Sequence, residues 1–410
     1  MTETLPTTDS ATATATGSAV DRPERLLTPA FVRLSVADLA YFTAAGVAIY
    51  ALPQYVTGPV GSDRAGAGLA FGAFAVTALV LRPFAGRMSD TRGRRPLLVG
   101  GALLGALAMV LTGWAETLPM VVALRLLLGV AEAAFFVASF AAVADLAPKS
   151  RMGEALSYNS LGLYLGLTLG PPLGELLLSS LGFLGAWYGA AVLLLLAAGI
   201  AGGIGETRTV TAGSREPTRL IHREAVPASL GFLTSVVAMG GFLAFASLHA
   251  DAVGLTRTSI PLAVYGSVVV ICRIAFAKVP DRLPSLPLGA AALGAIAAGL
   301  LVMASWASPA GLLSGTVLVG LGVTFSTPAF FSAIFATAGP AQRGAASGTA
   351  SAALDLGLGG GPMLLGLIAQ GAGIPLAFGA AALVALVGSA WTLSLSGLVR
   401  SGARRATRPA

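Results

Sequence analysis

Between Arg282 and Arg343 lie 60 consecutive residues without one Lys, Arg, His, Asp or Glu, and between Arg343 and Arg400 only Asp355 interrupts a second such run. A helix that crosses a bilayer needs about 20 apolar residues, so each run must turn back on itself and hold two crossings. The 410-residue chain as a whole is 55% hydrophobic and 10% charged, against about 25% charged in soluble domains. The chain is therefore predicted to be an all-α, polytopic membrane protein.

Division at charge clusters and at Gly/Pro/Ser turns predicts spans over 31–53, 66–86, 96–114, 118–145, 153–179 and 183–204, then 226–250, 258–278, 286–306, 309–338, 344–370 and 373–398. That is twelve crossings in two six-helix halves, 31–204 and 226–398, joined by a mixed-charge linker over 205–225 that reads as solvated surface. Residues 1–30, polar and Thr/Ala-rich without the apolar run of a signal peptide, read as a disordered tail, and 399–410 as a second tail. An even number of spans puts both termini on one side. With this division 22 of the 25 basic residues, including Arg82 to Arg95, fall on the side of the termini; only Arg64 and Arg257 face the other, and Arg125 is inside a span. The positive-inside rule then makes the termini cytoplasmic in a plasma (inner) membrane.

The densest charge cluster is the short stretch GRMSDTRGRRPLL, Gly86 to Leu98. At an offset of 191 residues, Arg82, Arg87, Asp90, Pro96 and Leu97 meet Arg273, Lys278, Asp281, Pro287 and Leu288, and Gly170-Pro171 meets Gly361-Pro362. Such a repeat indicates two halves of common ancestry, the arrangement by which many secondary transporters build a site at the bilayer midplane.

The pattern Gly86-x-Met88-Ser89-Asp90-x-x-Gly93-Arg94-Arg95-x-x-Leu98 resembles the loop 2–3 signature of the major facilitator superfamily, with Ser89 and Thr91 departing from its usual residues. In span four, Arg125-x-x-x-Gly129 is similar to a motif of proton-coupled members. In span five, Gly162-x-x-x-Gly166-x-x-x-Gly170-Pro171-Pro172-x-Gly174 is similar to the motif of bacterial drug:proton antiporters of the twelve-span type. The same glycines also read as a flat stripe for close helix packing. The resemblance implies that Asp90 approaches the start of span eleven, near Gly339 to Gly344, that Arg94 pairs with Asp145, and that Asp281 repeats the arrangement. Gly86, Asp90, Gly93, Arg94, Arg95, Asp145 and Asp281 would then form a latch that closes the cytoplasmic side.

Charges inside a membrane are expensive and functional by default. Asp38, Arg125, Glu132 and Asp355 qualify, with Glu175 as a residue of the outer rim. Glu132 and Asp355, one from each half, each stand near the centre of a span and are the expected proton-coupling pair. Arg125 is seven residues from Glu132, about 10 Å along one helical face, and is expected to hold that carboxylate ionised. Asp355 has no fixed charge in its own span. Asp38 has a coupling or a structural reading.

Substrate contacts are expected among Tyr41, Tyr50, Gln54, Tyr158, Asn159, Tyr164, Phe242, Phe245 and Phe330, giving an apolar cavity with a few acids that suits a lipophilic, cationic or neutral molecule. No cofactor is expected. The lone Cys272 excludes an intramolecular disulfide, and His222 and His249 form no metal-ligand spacing. With two lysines against 23 arginines, the net charge of +7 reflects composition rather than nucleic-acid binding. There is no phosphate-binding loop, large soluble domain or nucleophile–base pair, so an enzyme or sensor is disfavoured. The expected partners are a small molecule, protons and lipid, and the chain is expected to act as a monomer. Export of a drug or secondary metabolite by proton antiport leads over uptake by symport or a sugar-type permease. The orientation has a direct check. A reporter fused after Ala410 or within 205–227 should report cytoplasm, and one near Arg64 or Arg257 the outside; reversed labelling at either pair contradicts the topology.

Overall fold

A computed structural model describes residues 26–148, 152–208, 222–276, 279–338 and 342–406. The described residues form helices and no strands. They are α1 (Pro29–Thr57), α2 (Arg64–Arg92), α3 (Arg94–Thr112), α4 (Leu118–Leu146), α5 (Met152–Gly202), α6 (Val226–Ala252), α7 (Ile260–Ala275), the single turn α8 (Val279–Arg282), α9 (Ser285–Ser305), α10 (Pro309–Ala336), α11 (Arg343–Ala372) and α12 (Ile374–Ala406).

Several starts are written locally. Pro occupies the first turn of α1 and α10, where its missing N–H costs nothing, and the preceding Thr28 and Ser308 accept from Phe31 N and Gly311 N at 3.2 and 3.1 Å. Asp63 caps α2 in the same way, accepting from Gly66 N at 2.7 Å.

Eleven of these helices have 16 residues or more, and ten are long and apolar enough to cross a membrane. Ten differs from the expected twelve because α7 has only 16 residues and because spans 153–179 and 183–204 fall on the continuous 51-residue stretch α5, in which two helices meet at a kink. That stretch is interrupted only at Gly182, whose φ of 70° favours glycine. α12 continues to Ala406 through most of the expected tail 399–410; no proline occurs between Pro375 and Pro409 to stop it. The expected disordered tail falls mainly on residues 1–25, outside the described residues.

α1 seats on the glycine stripe of α5. A methyl group placed on Gly170 would fall 2.5 Å from Gly46 Cα and 2.6 Å from Thr43 O, and one on Gly166 would fall 2.7 Å from Phe42 and Thr43 backbone atoms. Gly162 and Gly174 face Ser35 O and Val47 Cα of α1 at 3.2 and 3.3 Å, and Pro171 approaches Gly46. Here the span-five motif is a helix–helix seat.

Alternation of the helices gathers the start of α1, the α2–α3 junction and the ends of α4 and α5 at one face, the terminal face. Arg33 Nη1 donates to Gly203 O there at 2.9 Å. The opposite, far face holds the α3–α4 junction, where Tyr55 OH donates to Ala115 O at 2.9 Å.

The linker's described ends are not merely solvated. Gly93, with φ 106°, lets α2 turn into α3, and a Cβ on it would collide with Glu206. The Glu206 carboxylate accepts from Arg94 N at 2.8 Å and Arg95 N at 3.3 Å, so it caps α3 from outside the helix. Thr207 Oγ1 lies 3.2 Å from Asp145 Oδ2, Arg208 Nη1 donates to Asp90 O at 3.0 Å and to Thr91 O, and His222 N donates to Thr349 Oγ1 at 3.0 Å.

Partial burial alone would raise the Glu206 pKa, but backbone N–H donors of Arg94, Arg208 and Arg95 outweigh it and hold the carboxyl below the ordinary glutamate range. A folded-state pKa below the unfolded one gives stability that is present above the unfolded value and lost as pH falls through the folded one. Glu206→Gln should therefore destabilise the protein at pH 7 by about 0.3–1 kcal/mol, the ordinary worth of an exposed anion at a helix start. The gap to wild type in thermal unfolding should close as pH falls below about 4; an equal gap at both pH values contradicts the cap.

Candidate functional site

Between α1, α2, α4 and α5 on one side and α6, α7, α10 and α11 on the other lies a cavity of about 1100 Å³. Its wall reaches Phe140, Phe276, Phe335 and Ser347 toward the terminal face but includes none of the residues that join the halves at the far face. That far closure consists of two small-residue seams and a polar clasp. Gly68 and Gly72 of α2 lie against Pro362 O and Gly359 O of α11, and Gly266 of α7 lies against Thr168 of α5. In the clasp, Glu175 accepts from Thr258 N at 2.8 Å and Ser259 Oγ at 2.7 Å, at the start of α7, while Tyr50 OH lies 2.8 Å from Thr258 Oγ1. Arg64 N donates to Gln370 Oε1 at 3.1 Å. The cavity is thus open to the terminal face and closed to the other.

Its most polar point is Arg82. Counted above with the loop charges, this residue lies inside α2, ten residues before the helix ends at Arg92, about 15 Å along the axis. Nε and Nη2 meet Asp355 Oδ2 and Oδ1 at 2.6 and 2.8 Å, and Nη2 lies 3.4 Å from Glu132 Oε1. The guanidinium also sits 4.6 Å from the Phe136 ring centroid. Side-chain exposures are 12% for Arg82, 16% for Glu132 and 2% for Asp355, so this is a buried, bidentate ion pair between the halves. Removing one partner of such a pair leaves an uncompensated charge, a change that typically costs about 3–5 kcal/mol.

The expected Arg125–Glu132 partnership is replaced by this one. Arg125 donates through Nε to Ala70 O at 3.2 Å and through Nη2 to Phe71 O at 3.4 Å, with its guanidinium 5.0 Å from the Phe74 ring centroid. Carbonyls of α2 thus occupy the fork of Arg125, which was expected to act on Glu132 through space, and both residues line the cavity. Glu132 Oε2 is buried and has no partner among the described residues. Asp355 lacks a charged neighbour on its own helix but finds one on α2, a contact invisible from within one span. Asp38 is fully buried with Ser139 Oγ 2.8 Å from both carboxylate oxygens. Asn159 is its other hydrogen-bonding neighbour, and neither Asp38 nor Asn159 lines the cavity.

Of the expected substrate contacts, Tyr41, Tyr158 and Tyr164 line the cavity. Tyr41 stacks on Phe135 with ring centroids 3.9 Å apart. Tyr50 belongs to the far clasp, and Gln54 Nε2 donates to Tyr50 O at 3.0 Å. Phe242, Phe245 and Phe330 are buried in the core away from the cavity; as large apolar groups on all-apolar faces they are packing residues. Glu175, assigned above to the rim, is the acceptor at the centre of the clasp.

In the α2–α3 junction, Arg94 pairs with Asp90 at 2.8 Å and with Asp145 at 3.1 Å. Asp90 is 68% exposed, and its expected neighbours near 339–341 fall outside the described residues, as does the side chain of Asp281. Gly86 faces open space.

One further cation, also counted above with the loop charges, reaches the cavity from α7. Arg273 Nη2 donates to Tyr164 OH at 2.9 Å, and the guanidinium lies 4.3 Å from that ring's centroid. The signal for both cavity-wall arginines was in the repeat, since Arg82 and Arg273 are partners at the offset of 191. The expectation of an apolar cavity with a few acids left out Arg82 and Arg273. Three guanidiniums stand in its wall beside two carboxylates.

Residues 34–361 match the family profile described as Major Facilitator Superfamily. An MFS-type transporter of Salmonella typhimurium is 27% identical over 368 residues, covering 87% of this chain and 94% of the relative. One of Burkholderia mallei is 28% identical over 377 residues, covering 87% and 89%. Among solved structures, a nucleoside transporter superposes with TM-score 0.76 at 12% identity over 89% of this chain and 99% of its own. A bacterial homolog of the human lysosomal transporter Spinster, in an inward-facing and occupied conformation, superposes with TM-score 0.71 at 16% identity over 89% and 96%. The human organic anion transporter does so with TM-score 0.68 at 18% identity over 90% and 100%. These likenesses establish the fold.

Proposed function

The chain belongs to the major facilitator superfamily, and from that premise we propose that it exports small lipophilic compounds by proton antiport, with Asp355 and Glu132 as the proton-coupling acids. The observation that carries this reading is the bidentate Arg82–Asp355 pair, which joins one half to the other inside the cavity wall. A proton on Asp355 removes the negative member of the pair and frees the Arg82 fork, so one protonation event changes the attraction between the halves. Glu132, 3.4 Å from the same guanidinium, is placed to take over Arg82 when Asp355 is neutral.

In the proposed cycle the present arrangement, open to the terminal face with Arg82 matched by both acids, is the proton-released state that admits substrate. Conversion opens the far face, where substrate leaves and the acids reload. Asp90, Arg94 and Asp145 then serve the closure of the terminal face, and the far clasp around Glu175 serves the state seen here. Arg125 braces α4 on α2 and does not carry the proton, and Asp38 is a buried structural contact with Ser139. The reading takes the termini as cytoplasmic and the protein as a monomer in the plasma membrane.

The test uses proteoliposomes with an imposed pH gradient and a panel of lipophilic compounds of each charge type. Glu132→Gln and Asp355→Asn should each lower gradient-driven efflux at least tenfold while downhill exchange of the same compound persists. Efflux retained in both variants contradicts the coupling assignment. Protons and compound moving in the same direction replace antiport by symport at the same site.

A further inference from the structure

We propose that the cavity's substrate is an amphipathic organic anion, a carboxylate or sulfonate on an apolar body, and that its anionic group binds Arg273. This rests on the reading of the cavity as a transport site and adds the substrate's chemical class.

The argument starts from the internal repeat. At the offset of 191 that aligns Arg82 with Arg273, Asp355 aligns with Tyr164 and Glu132 with Val323. The contacts follow the same relation: Arg82 crosses to Asp355 of the other half, and Arg273 crosses to Tyr164 of the other half. All six residues line the cavity. The two sites are copies related by the pseudo-symmetry, but only the first has its acids. In the second, a neutral phenol and an isopropyl group stand where the carboxylates would be.

Among the described residues, Arg273 is consequently the guanidinium in the wall without a matched set of acceptors. Arg82 has two carboxylates and Arg125 has two backbone carbonyls. Among the described residues, Arg273 has the Tyr164 hydroxyl as its hydrogen-bond acceptor, its Nε is buried without a partner, and no carboxylate pairs with it. A half-buried guanidinium whose Nε is shut away from water without an acceptor carries an unmet desolvation cost, and a ligand oxyanion removes that cost on binding. The planar fork suits carboxylate and sulfonate oxygens, which accept two parallel N–H bonds. Stacking on Tyr164 holds the guanidinium plane in place. Beside it Ile274, Phe276, Phe325 and Phe331 supply an apolar wall for the rest of the molecule. With three cations against two acids the cavity also attracts anions as a whole.

The experiment measures equilibrium binding to the purified full chain in nanodiscs, by calorimetry and without a proton gradient. The probes share one apolar body: naphthalene-2-sulfonate, 2-naphthylmethylammonium and 2-naphthalenemethanol. The sulfonate should bind at least tenfold tighter than the ammonium. Arg273→Gln should lower sulfonate affinity tenfold or more and leave the alcohol within twofold. Tyr164→Asp rebuilds the first site's carboxylate at the second and should lower it equally, whereas Tyr164→Phe should retain it; this pair carries the test if Arg273→Gln does not fold. Sulfonate binding no tighter than that of the ammonium, undetectable sulfonate binding, or indifference to Arg273→Gln and Tyr164→Asp overturns the proposal. Because no gradient is applied, failure of proton coupling leaves this result intact, and a sulfonate that binds but is not moved counts against transport rather than against the site.

Discussion

A guanidinium buried among apolar side chains is costly without acceptors, and Arg82 meets that demand by reaching across to Asp355 in the other half of the molecule. The pair is bidentate and almost completely withdrawn from solvent, so it fixes how α2 and α11 lie beside one another. Their seam at the far face, where Gly68 and Gly72 of α2 meet Pro362 and Gly359 of α11, is close enough that side chains would hold the helices apart. The cavity is the space left toward the terminal face once that seam is shut. Polar matching at mid-depth and small-residue packing at one face are thus parts of the same arrangement.

The two kinds of contact differ in what a conformational change requires of them. Glycine seams have no interlocking side chains, so separating them sacrifices dispersion and little else. The Arg82–Asp355 pair cannot be separated without a replacement for the lost charge; in the proposed cycle the neighbouring Glu132 supplies it as the far face opens, and a proton taken up there by Asp355 then keeps the pair apart. Within the N-terminal half, by contrast, α1 is locked onto α5 by the Gly46–Gly170 approach and moves with it. This division between rigid packing inside a half and releasable contacts between halves suits a rocking motion.

Much of this was legible in the sequence. The 60 charge-free residues fixed the membrane class, and the loop signature with its degenerate copy pointed to a two-fold repeat. Motif glycines such as Gly170 were recognisable by spacing, although only the structure shows that their seat is α1. What could not be read were the partners of charges across helices. Arg82 and Arg273 sit within a few turns of the basic loops, and a one-dimensional count assigns them to topology. Arg125 and Glu132 share a helix and read as a pair until the fold gives each a different neighbour on α2. Glu175 and Glu206 acquire their roles from backbone N–H groups of distant segments, which no residue pattern announces. The repeat did contain the key relation, because the same offset that pairs the two arginines also pairs Asp355 with Tyr164.

The central claim, that the charge on Asp355 holds the halves in the state closed at the far face, is most directly tested by a distance measurement. The single native cysteine, Cys272, is replaced by serine. Spin labels are placed at Glu116 and Ala307, exposed repeat-related positions in the α3–α4 and α9–α10 junctions of the far face. Pulsed electron paramagnetic resonance then compares this background with the same protein carrying Asp355→Asn. The account requires the distance distribution to move to longer values, as loss of the carboxylate releases Arg82 and the far face opens. A distribution that stays where it is, in a variant that remains folded and inserted, contradicts it.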